Sequence, residues 1–271
     1  MRSAFRAAGL ALALIVPGAA VHAETTDCTV IMSTPFIITA PGIYCLKSSV
    51  TGNITINTDD VVLDLNGHVL ESGTPGAGAG VLAFERQHIT IRNGTLRGYN
   101  TAIQINGSRT SRSHLVEYLR VIDNSGSGIT VQGDGSVVRH NMLLNNGYAA
   151  GPGARFALLA TGDGVHVTDN EVIDSGRDAT GEVVGIRMGG SGVAVERNVV
   201  SNTEIGVHSS RGILVSAGAT GRNSIVNNRV VNMKIGIFHT GGSAVFMDNT
   251  VGGATTPFLG GVMAGTTNTS F

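Results

Sequence analysis

The residues Gly128-Ile129-Thr130-Val131, Gly133-Asp134-Gly135, Ser136-Val137-Val138-Arg139-His140-Asn141 and Met142-Leu143-Leu144-Asn145-Asn146 form one phrase, three short apolar runs separated by turn residues. Twenty-nine residues on, the phrase returns as Ala157-Leu158-Leu159-Ala160, Gly162-Asp163-Gly164, Val165-His166-Val167-Thr168-Asp169-Asn170 and Glu171-Val172-Ile173-Asp174. Further copies set Asn198, Asn228 and Asn249 where Asn141 and Asn170 stood, each of the first four followed four positions on by Asn145, Asp174, Asn202 or Asn232. Self-similarity at a fixed period of this size marks a solenoid.

Each run is too short for a helix, is β-branched or alternating, and is bounded by Gly, Asn or Asp, so each is a short strand. Three strands and their turns make one coil. Coils stack with parallel strands about 4.8 Å apart, which places apolar residues of equivalent slots over one another in a continuous core. The recurrent Asn suits a turn, because it tolerates the left-handed conformation and its amide can bond to the chain. Stacked copies would form a ladder of side-chain amides. Because Leu119 fills the slot of that Asn in Val116-Glu117-Tyr118-Leu119-Arg120-Val121, the ladder is expected to begin at Asn141.

Repeats of Gly-Ile-x-Val, then Val-x-Val-x-x-Asn, then another short strand resemble the right-handed parallel β-helix repeats of the pectin-lyase-like superfamily. The resemblance implies an all-β, single-domain right-handed parallel β-helix of about seven to eight coils, spanning residues 50–252. It also implies that the substrate groove lies on the first-strand face and its flanking loops. That superfamily contains lyases, hydrolases, epimerases and adhesins, so the fold does not choose an activity.

At the start of the chain, Arg2 and Arg6 precede an apolar run from Ala7 to about Ala20, and Val21-His22-Ala23 offers small residues for a signal peptidase. Residues 1–23 read as a secretory signal peptide, cleaved after Ala23, with the mature protein periplasmic or secreted. The run is short and broken at Pro17-Gly18, which argues against a membrane anchor, and no later segment is apolar enough to span a bilayer. Loss of Arg2 and Arg6 takes the formal charge from −1 to −3, which gives no reason to expect a nucleic-acid partner. With 39 Gly among 271 residues but abundant Val and Ile in periodic slots, Gly marks turns here rather than disorder. Trp is absent, which weakens any proposal of a flat sugar-stacking platform.

Residues 24–49 read as an N-terminal cap pinned by a disulfide between Cys28 and Cys45, the only cysteines of a chain read as exported. The tail at 253–271 lacks the repeat and reads as a C-terminal cap or flexible end. Asn66-Gly67 and Asn93-Gly94 read as tight turns in the first coils, and Asp64 beside them as a satisfied turn residue rather than a catalytic acid.

First-strand slots begin at Gly80, Ala102, Gly128, Ala157, Gly185, Gly206 and Gly236, which makes Leu82, Gln104, Thr130, Leu159, Arg187, His208 and Phe238 the outward column. Arg187 and His208 are thus expected side by side, with longer connections carrying Tyr148, Arg155, Arg177, Asp178, Glu182 and Arg211 around them. A β-elimination on a uronate polymer needs a cation for the sugar carboxylate, a base and an acid. Arg187 is the candidate for the first role, His208 for the second, and Tyr148 or a protonated carboxylate for the third. Gln104, Thr130, Arg155, Arg177, Asp178, Glu182, Arg211 and Phe238 are candidate substrate contacts. The column holds no carboxylate pair for hydrolysis. No cofactor or dedicated metal site is predicted, with calcium kept as the candidate ion because Asp174, Asp178 and Glu182 lie close in sequence. The expected partner is a polysaccharide or cell-surface glycan, bound with or without an elimination on an acidic glycan. The alternatives are a non-catalytic glycan- or partner-binding module and a structural or adhesive solenoid.

Overall fold

The computed structural model describes residues 24–108, 110–149, 154–176, 181–203, 210–217, 222–241, 243–263 and 267–271. Short Val-, Ile- and Leu-rich runs become strands that pair only in parallel, in one sheet of ten strands and one of nineteen. One repeat shows the order: Ser127–Gln132 lies in the ten-stranded front sheet, while Val137–Arg139 and Met142–Leu144 lie on two adjoining faces of the nineteen-stranded back sheet. The next repeat stacks on it as Arg155–Thr161, His166–Thr168 and Glu171–Ile173. This is a parallel β-helix with three faces.

Register builds the core. In the front sheet Ile129, Leu158, Ile186, Ile213 and Ile237 stand opposite one another in sequence, all fully buried. Strand alternation turns the next residue outward, so Gln104, Thr130, Leu159, Arg187 and Phe238 share one exposed-side row.

The row differs from expectation in one place. Leu214, not His208, stands between Arg187 and Phe238, because the strand beside Arg187 is Ser210–Ala217 and its slot is Gly212-Ile213-Leu214-Val215. That choice puts Ile213 and Val215, both fully buried, at the two inward positions. The alternative starting at Gly206 would have put Ser209 in the core. His208 lies outside the described residues.

The back-sheet corner carries the amide ladder, beginning at Asn141 as expected. Nδ2 of Asn141, Asn170, Asn198, Asn228 and Asn249 donates to Oδ1 of the next member, ending on Asn268, at 2.9–3.0 Å. Each Oδ1 also accepts the backbone N–H of the Asn before it, at 2.9–3.1 Å. The left-handed residue of this corner is, however, the one before the Asn: His140, Asp169, Arg197, Asn227 and Asp248 have φ of 54–56°. The recurrent Asn is there for its buried amide rather than for its backbone freedom. At the next corner Asn145, Asp174 and Asn232 do take the left-handed conformation.

The stack extends beyond residues 50–252 at both ends. Thr29–Ile31 pairs with Gly42–Leu46, which pairs with Val61–Asp64, while Phe36–Ile38 pairs with Ile54–Ile56. Thr256–Leu259, Val262–Met263 and Thr269–Ser270 continue it at the other end. One front strand per coil gives ten coils among the described residues, eight of them within residues 50–252, in line with the seven to eight expected there. A disulfide joins Cys28 to Cys45, whose Cα atoms are 5.9 Å apart, and ties the first turn to the strand Gly42–Leu46. Asp64 is fully buried and satisfied, as its turn reading required: Thr25, Arg92 and Asn93 side chains and the Asn66 N–H donate to it. Among the described residues no helix is long and apolar enough to cross a membrane.

Candidate functional site

The front sheet positions an arginine–aromatic cluster on its outer surface. Pairing brings Phe156, Val184 and Arg211 into one cross-strand row and Leu159, Arg187, Leu214 and Phe238 into another. The Arg187 guanidinium lies 5.1 Å from the centroid of the Phe156 ring, and that of Arg211 lies 5.1 Å from the centroid of Phe238. Stacking of this kind orients the cation and buries its apolar faces, while leaving the N–H edge for an anion.

The two arginines differ in what that edge meets. Arg211 is held by Glu182, Nη1 to Oε1 at 2.5 Å. Arg187 has no carboxylate partner among the described residues. It is flanked in its row by the apolar side chains of Leu159 and Leu214.

Of the other residues expected here, Gln104 and Thr130 stand in the outward row, three and two coils respectively before Arg187, half-buried. Arg155 opens the Phe156 strand, opposite Val183; its backbone N–H donates to the Glu182 carbonyl at 2.9 Å and its buried Nε has no partner. Tyr148 is half-buried in the connection before that strand, where Gly147 and Ala149 on either side bond back to the preceding coil. No hydrogen bond joins Tyr148 to Arg187. Arg177 and Asp178, like His208, lie outside the described residues. Among the described residues no group of three or more His, Cys, Asp or Glu side chains is arranged to hold a metal ion.

A pair not anticipated from the sequence, Ser111 and His114, has the look of a catalytic dyad, with Oγ and Nε2 2.8 Å apart. Its protons run the wrong way. The Ile89 N–H donates to His114 Nδ1, so Nε2 carries the hydrogen and donates to Ser111, whose hydroxyl donates to the Arg86 carbonyl. Both side chains are buried, and burial pushes the His114 pKa down to about 4, with the His88 imidazole adding to the effect. The pair is a structural brace.

Sequence reading also missed a groove of about 540 Å³ on the far side of the molecule, at the back-sheet corner of the early coils. Its signal was present in Asn66-Gly67, where Gly67 leaves open space, and in the short Asn93 one coil on.

A family model described as a right handed beta helix region matches residues 79–254. The chain therefore belongs to the right-handed β-helix family, which gives the coil its hand. A search of curated proteins finds no match. Among solved structures the chain is similar to an alginate lyase from Paenibacillus sp. str. FPU-7, at 11% identity and a TM-score of 0.44, over 82% of this chain and 92% of that one. It is also similar to the catalytic domain of a GH87 alpha-1,3-glucanase in complex with nigerose, at 11% identity and a TM-score of 0.38, over 89% of this chain and 61% of that one.

Proposed function

We propose that this is an exported β-helix protein that binds an acidic polysaccharide along the outer face of its front sheet. The observation that carries the reading is Arg187, fixed on Phe156 between Leu159 and Leu214 without a carboxylate partner among the described residues. A uronate unit presents a carboxylate for the guanidinium edge and C–H faces for the apolar neighbours. Gln104 and Thr130 extend the same row with hydrogen-bonding groups for further sugar hydroxyls. The leader-like start at residues 1–23 and the Cys28–Cys45 disulfide support export to the periplasm or beyond.

Elimination is a further step on the same face, because neutralising the sugar carboxylate is what both binding and β-elimination ask of Arg187. His208 and Tyr148 are the candidates for base and acid there, and calcium the candidate ion.

The test is affinity electrophoresis of the mature protein in gels of polygalacturonate, alginate and neutral glucan, with calcium and with chelator. Absorbance of unsaturated ends is followed in parallel. Retardation by an acidic polymer and not by the neutral one is expected. Equal mobility in all gels would overturn the reading, and unsaturated ends would add the lyase activity to it.

A further inference from the structure

Arg187 and Arg211 repeat one motif with one difference. Along the solenoid Phe156, Arg187, Arg211 and Phe238 come from four successive coils, so each cation lies over the ring of the outer coil beside it, at 5.1 Å in both cases. Val184 and Leu214, which stand opposite Arg211 and Arg187, are buried, so the floor between the two pairs is apolar. The difference is the anion. Arg211 holds the Glu182 carboxylate, whereas Arg187 has none among the described residues.

The occupied pair therefore displays what the open pair can bind: a carboxylate on the edge of a guanidinium whose face rests on a phenyl ring. Glu182 is also placed as a displaceable occupant. Its backbone is fixed, its carbonyl accepting the Arg155 N–H at 2.9 Å, but its side chain and that of Arg211 are partly exposed. One hydrogen bond joins them, Nη1 to Oε1, and not the two-point fork of a locked arginine–carboxylate pair. An exposed pair of this kind adds little to folding stability.

We infer that Arg211 on Phe238 is a second carboxylate subsite of the front face, that Glu182 is its resting occupant, and that a polyuronate held at Arg187 displaces Glu182 with another of its own carboxylates. The inference rests on the acidic-glycan reading above and adds what the face selects. Arg211 stands three positions before Leu214, the residue opposite Arg187, so the two subsites are about 10 Å apart along the strand and about 4.8 Å apart along the solenoid. A monomer has one carboxylate and cannot serve both. Against a free monomer Glu182 wins, because its tether holds it at an effective concentration on the order of millimolar. A chain already anchored at Arg187 is tethered too, and brings its further carboxylates on equal terms. Glu182 thus acts as a built-in competitor that rejects isolated uronates at this subsite and admits a polymer.

The experiment is calorimetric titration of galacturonate and mannuronate hexamers, in about 0.15 M salt so that charges out of contact are screened, into three mature proteins: wild type, Glu182→Gln and Glu182→Gln/Arg211→Met. Glu182→Gln keeps the side-chain shape and removes the competing charge, and is expected to bind a hexamer about tenfold more tightly than wild type. The double variant replaces both partners with neutral groups and keeps a stem over Phe238, so it strands no charge. It is expected to bind about tenfold more weakly than Glu182→Gln. Wild-type binding with an unchanged affinity in Glu182→Gln would overturn the inference alone, as would an Arg211→Met cost below about twofold in the Glu182→Gln background. Failure of all three proteins to bind either hexamer would overturn the acidic-glycan reading with it.

Discussion

Two stretches of the same corner, residues 137–268 and residues 61–122, hold their turns together by different means. In the later coils the corner is closed by stacked amides: Asn198 alone donates to the Val167 and Glu196 carbonyls and to Asn228, and accepts from both nitrogens of Asn170. In the earlier coils the buried carboxylate of Asp64 gathers Thr25, Asn66, Arg92 and Asn93, and Leu119 fills the ladder slot with hydrocarbon. The amide ladder repeats without limit, since every member presents the same donor and acceptor to the next. The Asp64 cluster does not repeat, and around it the corner opens into a groove. Regularity closes the corner, and its interruption leaves it open.

The sharpest way to break this comparison is to exchange the two residue types. Asn198→Leu takes away the acceptor of the buried Asn170 backbone N–H and the side-chain donor to the Val167 carbonyl, and cuts the amide chain between Asn170 and Asn228; it is expected to cost about 4 kcal/mol in denaturant unfolding. A cost below about 1 kcal/mol would show that the ladder is ornamental.

Second in size is an effect of pH. His114 sits in the early half, neutral and buried, with its pKa lowered from 6.5 to about 4. Between those values the unfolded chain binds a proton that the folded one excludes, so the stabilising contribution is complete above pH 6.5 and falls as pH drops toward 4. The loss is on the order of 3 kcal/mol, and it should be absent in His114→Gln. Unfolding midpoints measured across that range check it, and parallel pH profiles for the two proteins would contradict the assignment.

The smallest effect belongs to the reciprocal exchange. Leu119→Asn exchanges buried hydrocarbon for an amide that finds only part of a ladder, and is expected to cost about 2 kcal/mol by the same unfolding measurement, roughly half the effect at Asn198. Equal costs at the two positions would mean that the two stretches of corner are held alike.

The fold was legible because the branched residues recur at a spacing that only stacked coils can bury, and the Gly-Ile-x-Val phrase sets which side chain points outward. Two things hid the rest. First, connections before the front strands vary in length, so Gly206-Val207-His208 and Gly212-Ile213-Leu214 both fit the phrase, and only core burial of Ile213 and Val215 chooses between them. Secondly, the left-handed position holds His140, Asp169 and Arg197 in turn and has no residue signature, whereas the Asn beside it recurs for reasons of side-chain bonding. At the front face, Arg187 was identified from alternation alone, but its Phe156 support depends on a contact between neighbouring coils that spacing does not reveal. The groove was hidden for a simpler reason, since Asn-Gly reads as a turn and not as a missing wall. Only the first of the two turns so read has both residues left-handed, Asn66 and Gly67. At Asn93-Gly94 the bend is Asn93 alone, inside the strand Ile89–Arg97.

The central claim is that Arg187 presents an uncompensated cation to an acidic glycan. Isothermal titration of oligogalacturonate into the mature protein and into Arg187→Ala, with unfolding midpoints measured on both, tests it most directly. About a tenfold loss of affinity with an unchanged midpoint is the predicted result, and equal affinity for the two proteins would contradict it.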